Sequence, residues 1–156
     1  DATNPEAVNR IYDIKKRADN KSMLVLLDNA GKIASYADVP DIALDLIEVA
    51  YKPTTIIYPG AKRLAPNLIA EDGTIGIRIT REEFTRSLIF RYNKPIVSTS
   101  ANISGEPSPH FFGEISEEIK NAVDYIVDYR RNDHKPAAPS SIIKLGMGGE
   151  IQIIRK

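Results

Sequence analysis

The chain contains no cysteine among its 156 residues. That excludes disulfides, iron–sulfur clusters, thiolate zinc sites and cysteine nucleophiles, and it fits a reducing, cytoplasmic setting. No apolar run approaches the ~20 residues that a membrane-spanning helix needs. Excess charge is absent too: 21 Lys and Arg balance 21 Asp and Glu. Dedicated nucleic-acid binders draw affinity from a basic surplus, so a weak RNA contact is the most this balance supports, while a local cationic cluster for one small anion stays open. Neither G-x-x-x-x-G-K-[ST] nor G-x-G-x-x-G occurs, which removes two common phosphate-binding loops. The two histidines, His110 and His134, fall in loops without paired ligand spacing. Neither a protein-built metal site nor a Ser–His–Asp triad is expected.

A chain of this length fits one domain and buries roughly 70% of its unfolded surface. Asn4-Pro5-Glu6 reads as a helix start, with a capping side chain, proline at the first helical position and an acid in the first turn. Val8, Ile11 and Tyr12 follow at helical spacing, and Lys15-Lys16-Arg17 close the helix as a solvated cationic end. Met23 to Leu27 reads as a buried strand, Asp41 to Ala50 as an amphipathic helix, and Thr54 to Tyr58 as a strand ending at Pro59-Gly60. Residues 60–73 read as an exposed loop. Thr74 to Ile79 alternates as a strand, Arg81 to Tyr92 is helical, and Pro95 opens another strand. Ile115 to Ala122 reads as a helix and Tyr125 to Tyr129 as a strand, followed by a charged loop from Arg130 to Pro139. Ser141 to Leu145 and Glu150 to Ile154 read as a hairpin turning at Gly146-Met147-Gly148-Gly149. Helices alternate with strands until a β-rich end, which predicts an α/β fold: a twisted mixed β-sheet flanked by helices, in a single domain.

The richest segment runs from Pro95 to Pro109. Pro95-Ile96-Val97 breaks into Ser98-Thr99-Ser100-Ala101-Asn102 and then a turn-forming Ser104-Gly105-Glu106-Pro107-Ser108-Pro109. Ligands bind beyond the carboxyl ends of strands in open α/β sheets. Ser98 and Ser100 are two apart, so an extended backbone turns both hydroxyls the same way, and Asn102 continues the spacing. Such a row suits a phosphate or an amino-acid head group. Ordinary turn chemistry is the competing reading, because Ser, Asn, Gly and Pro all form turns. Cations recur at element ends: Lys15 and Arg17, Lys21 in the following loop, and Arg155 at the end of the last strand. Arg78 alternates with isoleucines inside its strand and so needs a partner or a ligand. Cations and hydroxyls without an evident nucleophile point to a site that positions a polyphosphate by orientation and charge.

These residues resemble a known family, the YrdC-like threonylcarbamoyl-AMP synthases. Lys15-Lys16-Arg17 resembles its K-x-R motif, and Ser100-Ala101-Asn102 with the Ser-Gly-x-Pro-Ser-Pro continuation resembles its S-x-N motif. Thr74 to Arg78, Pro139 to Ile142 and the Arg155 ending follow in the same order, so the similarity covers the whole of residues 1–156 as one YrdC-like domain. It implies a YrdC-like fold and a nucleotidyltransferase that joins L-threonine, bicarbonate and ATP into threonylcarbamoyl-AMP, releasing pyrophosphate. A tRNA-modifying partner then uses the product on a tRNA adenosine. By the same resemblance Lys15, Arg17, Lys21, Ser100, Asn102, Ser108 and Arg155 face ATP. Arg78, Ser98 and Ser140 hold threonine, with the guanidinium forked onto its carboxylate. Magnesium is expected to arrive with ATP. The rival implication is a non-catalytic relative that binds RNA or nucleotide.

Three departures from the family accompany the likeness. Tyr51-Lys52-Pro53-Thr54-Thr55 replaces an aromatic-Pro-Gly-Pro segment. Leu26 stands where a histidine is common. The family's earlier strand and Pro-Thr-[Asp/Glu]-Thr-x-x-Gly motif does not precede Asp1, so the chain is expected to lack an N-terminal segment of the family domain.

Overall fold

The computed structural model describes residues 1–16, 23–136 and 139–156. Its frame is one six-stranded sheet built from β1 (Leu24–Leu27), β2 (Thr54–Tyr58), β3 (Ile75–Ile79), β4 (Ile96–Ser98), β5 (Ser141–Leu145) and β6 (Ile151–Arg155), in the order β4-β1-β3-β2-β5-β6. β1 with β3 and β2 with β5 are parallel, while the β1–β4, β2–β3 and β5–β6 pairs are antiparallel. Among the described residues four α-helices accompany the sheet: α1 (Pro5–Lys15), α2 (Ile42–Val49), α3 (Glu83–Tyr92) and α4 (Glu117–Ala122).

Local chemistry explains where the helices begin and end. The Asn4 carboxamide oxygen accepts from the Glu6 and Ala7 amides, and Pro5 fills the first helical position. Lys16 ends α1 in the left-handed region at φ 49°. Glu82 caps α3 by accepting from the Phe84 and Thr85 amides, and Ser116 caps α4.

The strand period of two divides the sheet into two unlike faces. Val25, Leu27, Ile56, Tyr58, Ile75, Ile77 and Leu145 point into one core, completed by Val8 and Tyr12 of α1, Ile33, and Ala43 of α2. The intervening Leu24, Thr55, Ile57, Gly76, Arg78 and Ile142 line a cleft on the opposite face. α3 lies against β1, where Leu26 and Ile89 are buried outside the main core.

Three sequence expectations need correction. Residues 60–73 are not a simple exposed loop, since Leu64, Ala65 and Leu68 are buried in the core and Pro66–Leu68 form a 3-10 turn. Tyr125 to Tyr129 is not a strand. Arg131 donates to the carbonyls of Val127 (3.0 Å) and Ile126 (2.6 Å), so a guanidinium satisfies backbone groups that a strand neighbour would otherwise take. Lys15 is not part of a solvated cationic tip either, being only 3% exposed, whereas the following Lys16 is exposed. A 3-10 helix at Ala30–Ser35, which buries Ile33, adds an element without a sequence counterpart above.

Candidate functional site

The cleft holds about 980 Å³ and is bounded by Ser98 at the end of β4, the loop Thr99 to Ala101, the turn Pro107 to Phe111, Pro139-Ser140 and Arg155. Its size lies in the range of small-molecule sites. Gly76 keeps the floor low: a Cβ there would stand 3.3 Å from the Thr55 methyl.

Arg78 rises from this floor half-buried, and among the described residues neither a carboxylate nor a hydrogen-bond acceptor pairs with it. Burial, and then the neighbouring Arg155 guanidinium, hold its pKa below the usual arginine value. Two cations therefore share one pocket whose lining, among the described residues, contains no Asp or Glu, an arrangement that favours an anion.

Arg155 reaches the cleft through an irregularity in β6. Ile143 pairs with Ile153, but the next residue of β5, Ile142, pairs with Arg155, leaving Ile154 as an extra residue. Regular pairing would put Arg155 on the same face as Ile153, which stands opposite the core-facing Ile143. The bulge shifts the register by one and turns the guanidinium towards the cleft. There its Nε donates to the Ser140 carbonyl at 2.8 Å.

Ser140 is buried, with its Oγ 3.0 Å from Thr55 Oγ1 and 3.4 Å from Arg155 Nη2. Ser98, Ser100 and Ser108 all line the cleft. Asn102 departs from that row. Its Nδ2 donates to the carbonyls of Ile103 (3.0 Å) and Glu106 (2.8 Å), bracing its own turn, while Oδ1 is buried without a partner among the described residues.

Lys15 also works from behind the loop. Its Nζ donates to the carbonyls of Ser100 and Asn102, the latter at 2.6 Å, and the Ser104 amide donates back to the Lys15 carbonyl at 2.8 Å. The first helix thus anchors the Ser-Ala-Asn segment. Arg17 and Lys21 lie outside the described residues.

Sequence reasoning passed over Thr55, Gly76 and His110. Thr55 and Gly76 were legible from strand alternation, since each is the non-core neighbour of an inward isoleucine. His110 had no such signal.

The fold and the cleft define a mixed-sheet α/β protein with a cationic cleft of small-molecule size. The chain belongs to the family described as Telomere recombination (Sua5, YciO and YrdC), whose model matches residues 1–156. A threonylcarbamoyl-AMP synthase of Pseudoalteromonas translucida is 29% identical over 97% of this chain and 81% of its own length. A Methanocaldococcus jannaschii protein provisionally named for the same activity is 39% identical over 92% of this chain and 67% of its own length. Among solved structures, P. abyssi Sua5 superposes with a TM-score of 0.85 at 24% identity, covering 99% of this chain and 47% of that one. E. coli YciO superposes at 0.79 with 21% identity, covering 97% and 73%. The chain thus spans just under half of the Sua5 protein whose fold it shares.

Proposed function

We propose that the protein is a threonylcarbamoyl-AMP synthase, a nucleotidyltransferase acting on L-threonine, bicarbonate and ATP. The observation that carries this reading is Arg78, without a partner among the described residues, beside Arg155 in the cleft, in a chain whose curated relatives bear that name. In the reaction the threonine nitrogen forms a C–N bond to the carbon of bicarbonate, water leaves and a proton passes to solvent. An oxygen of the resulting carbamate then bonds to the α-phosphorus of ATP, the bond to the β-phosphate breaks, and pyrophosphate departs.

The chain's own part is positioning. Arg78 forks onto the threonine carboxylate, with Ser98 and the Thr55–Ser140 hydroxyl pair at its sides. Arg155, Ser100 and Ser108 face the nucleotide, and Lys15 and Asn102 hold the loop that presents Ser100. Arg17 and Lys21 complete the phosphate contacts in this reading. Charge development on the phosphates is met by fixed cations, which need no reorganisation during the step. Magnesium fits as a companion of ATP, because among the described residues the cleft lining offers hydroxyls and cations but no carboxylate to hold the ion. The product passes to the tRNA threonylcarbamoyl-transfer machinery. Among the described residues no helix is long and apolar enough to cross a membrane, and the reading places the work in the cytoplasm.

The test is pyrophosphate release measured with each substrate omitted in turn. Release that requires threonine and bicarbonate together is expected. Arg78→Ala should raise the threonine KM, since loss of a charge-assisted hydrogen bond costs about 1.5–3 kcal/mol, or about 10- to 150-fold. Substrate-independent release, or an unchanged threonine KM in Arg78→Ala, would overturn the assignment.

A further inference from the structure

The cleft carries its cations on the strands, as Arg78 and Arg155, with Ser140 at the entry to β5. The loops bring Ala101, Pro107, Pro109, Phe111 and Ile115, with Ser100 and Ser108 interspersed, as a mostly apolar wall. One ionisable side chain belongs to that apolar wall: His110.

Its ring is held in a set orientation. His110 Nδ1 lies 3.0 Å from Glu114 Oε2, and the same oxygen accepts the His110 backbone amide at 2.7 Å. Those two bonds from His110, the backbone one foremost, keep the Glu114 carboxyl below its usual pKa. An ionised carboxylate only accepts, so Nδ1 carries the hydrogen and Nε2 is left on the ring edge away from Glu114. Phe111, the next residue, is fixed by an edge contact with His134 at 5.3 Å between centroids. The wall therefore offers apolar surface with a single oriented imidazole.

We infer that His110 reads the base of the bound nucleotide, its Nε2 accepting from the exocyclic amino group of an aminopurine while the base lies against the Pro107–Phe111 wall. This rests on the function proposed above, because a base reaches that wall only if the phosphates occupy the cationic end. With Arg78 engaged by the threonine carboxylate, a polyphosphate at the Arg155 end leaves the uncharged part of the nucleotide for the apolar wall. An amino group at purine position 6 satisfies the acceptor. A 6-oxo group sets oxygen against lone pair and leaves the acceptor unpaired. Glu114 then acts as a positioning residue through the imidazole.

The experiment compares ATP with ITP, which differ at that position, by calorimetric binding and by kcat/KM for pyrophosphate release. Wild type should prefer ATP by about tenfold, the equivalent of 1.4 kcal/mol. His110→Phe keeps ring area but removes the acceptor, and should bring the two nucleotides within about twofold by weakening ATP alone. Glu114→Ala should narrow the preference by raising KM for ATP without changing kcat. His110 is exposed, so neither variant is expected to unfold, and His110→Asn gives a second acceptor-altering check. An ATP/ITP ratio in His110→Phe equal to that of wild type would overturn the inference while leaving the proposed function intact. Failure of the wild-type chain to bind either nucleotide would overturn both.

Discussion

Lys15 Nζ donates to the carbonyl oxygen of Asn102 at 2.6 Å, joining the last residue of α1 to a loop 87 positions away in sequence. With the second bond to the Ser100 carbonyl and the return bond from the Ser104 amide, the contact works as a clamp rather than a free phosphate hook. Lys15→Met keeps the stem but strands two carbonyls. Each unpaired buried polar group costs about 1–3 kcal/mol, so the variant should lose about 2–6 kcal/mol of unfolding free energy in urea. ATP affinity should fall with it as the loop loosens. Unchanged stability with weakened ATP binding would instead return Lys15 to direct phosphate contact.

The bulge at Ile154 makes a second, independent claim. If the register shift is what delivers the last guanidinium, its place in the strand matters more than its presence. The exchange Ile154→Arg with Arg155→Ile keeps composition and charge but puts the cation on the extra, unpaired residue. ATP binding is expected to drop by about 10- to 150-fold, for the loss of one charge-assisted hydrogen bond. Stability should change little, since both positions are exposed. Calorimetric ATP titration checks this, and equal affinity in the exchanged chain would show that the bulge has no positioning role.

Much of this was readable from residue order, for definable reasons. Asn4-Pro5-Glu6 carries its helix signal in three side chains, and the Ile75-Gly76-Ile77-Arg78 alternation assigns one face to core and one to cleft without tertiary information. The mixed sheet and the family followed from such local signals. What escaped notice depends on distant partners. Lys15 reads as a solvated helix end until the loop carbonyls of Ser100 and Asn102 arrive from the far half of the chain. Asn102 looks like the third member of an outward row until the turn after Ala101 swings its amide back onto Glu106. Tyr125 to Tyr129 has the composition of a strand, but Arg131 takes its carbonyls and Phe84 and Glu82 take the Tyr129 ring and hydroxyl. The bulge that re-aims Arg155 has no sequence marker at all, because isoleucine is an ordinary strand residue.

The Glu82 carboxylate yields a prediction about acid stability. Partial burial alone would push its pKa up. Bonds from the Thr85 hydroxyl and amide, the Phe84 amide and the Tyr129 hydroxyl outweigh that and hold it at about 2, against 4.5 for an ordinary glutamate. A carboxyl whose folded pKa lies below its unfolded value stabilises the protein fully above the unfolded value, and that contribution is lost as pH falls through the folded one. The window is therefore about pH 4.5 down to 2. Glu82→Gln retains an acceptor for the α3 cap but no titrating charge. The variant should melt below wild type at pH 7, and the gap should shrink steadily from pH 5 to 3. Asp72, also held at about 2, first by its bond from Lys144, titrates in the same window. The wild-type curve alone therefore cannot isolate Glu82, whereas the difference between the two proteins does. Tyr129→Phe, which removes one of the four donors, should show a smaller gap with the same pH course. A melting-temperature difference that stays constant from pH 7 to 3 would show that Glu82 caps α3 without the charge preference assigned to it.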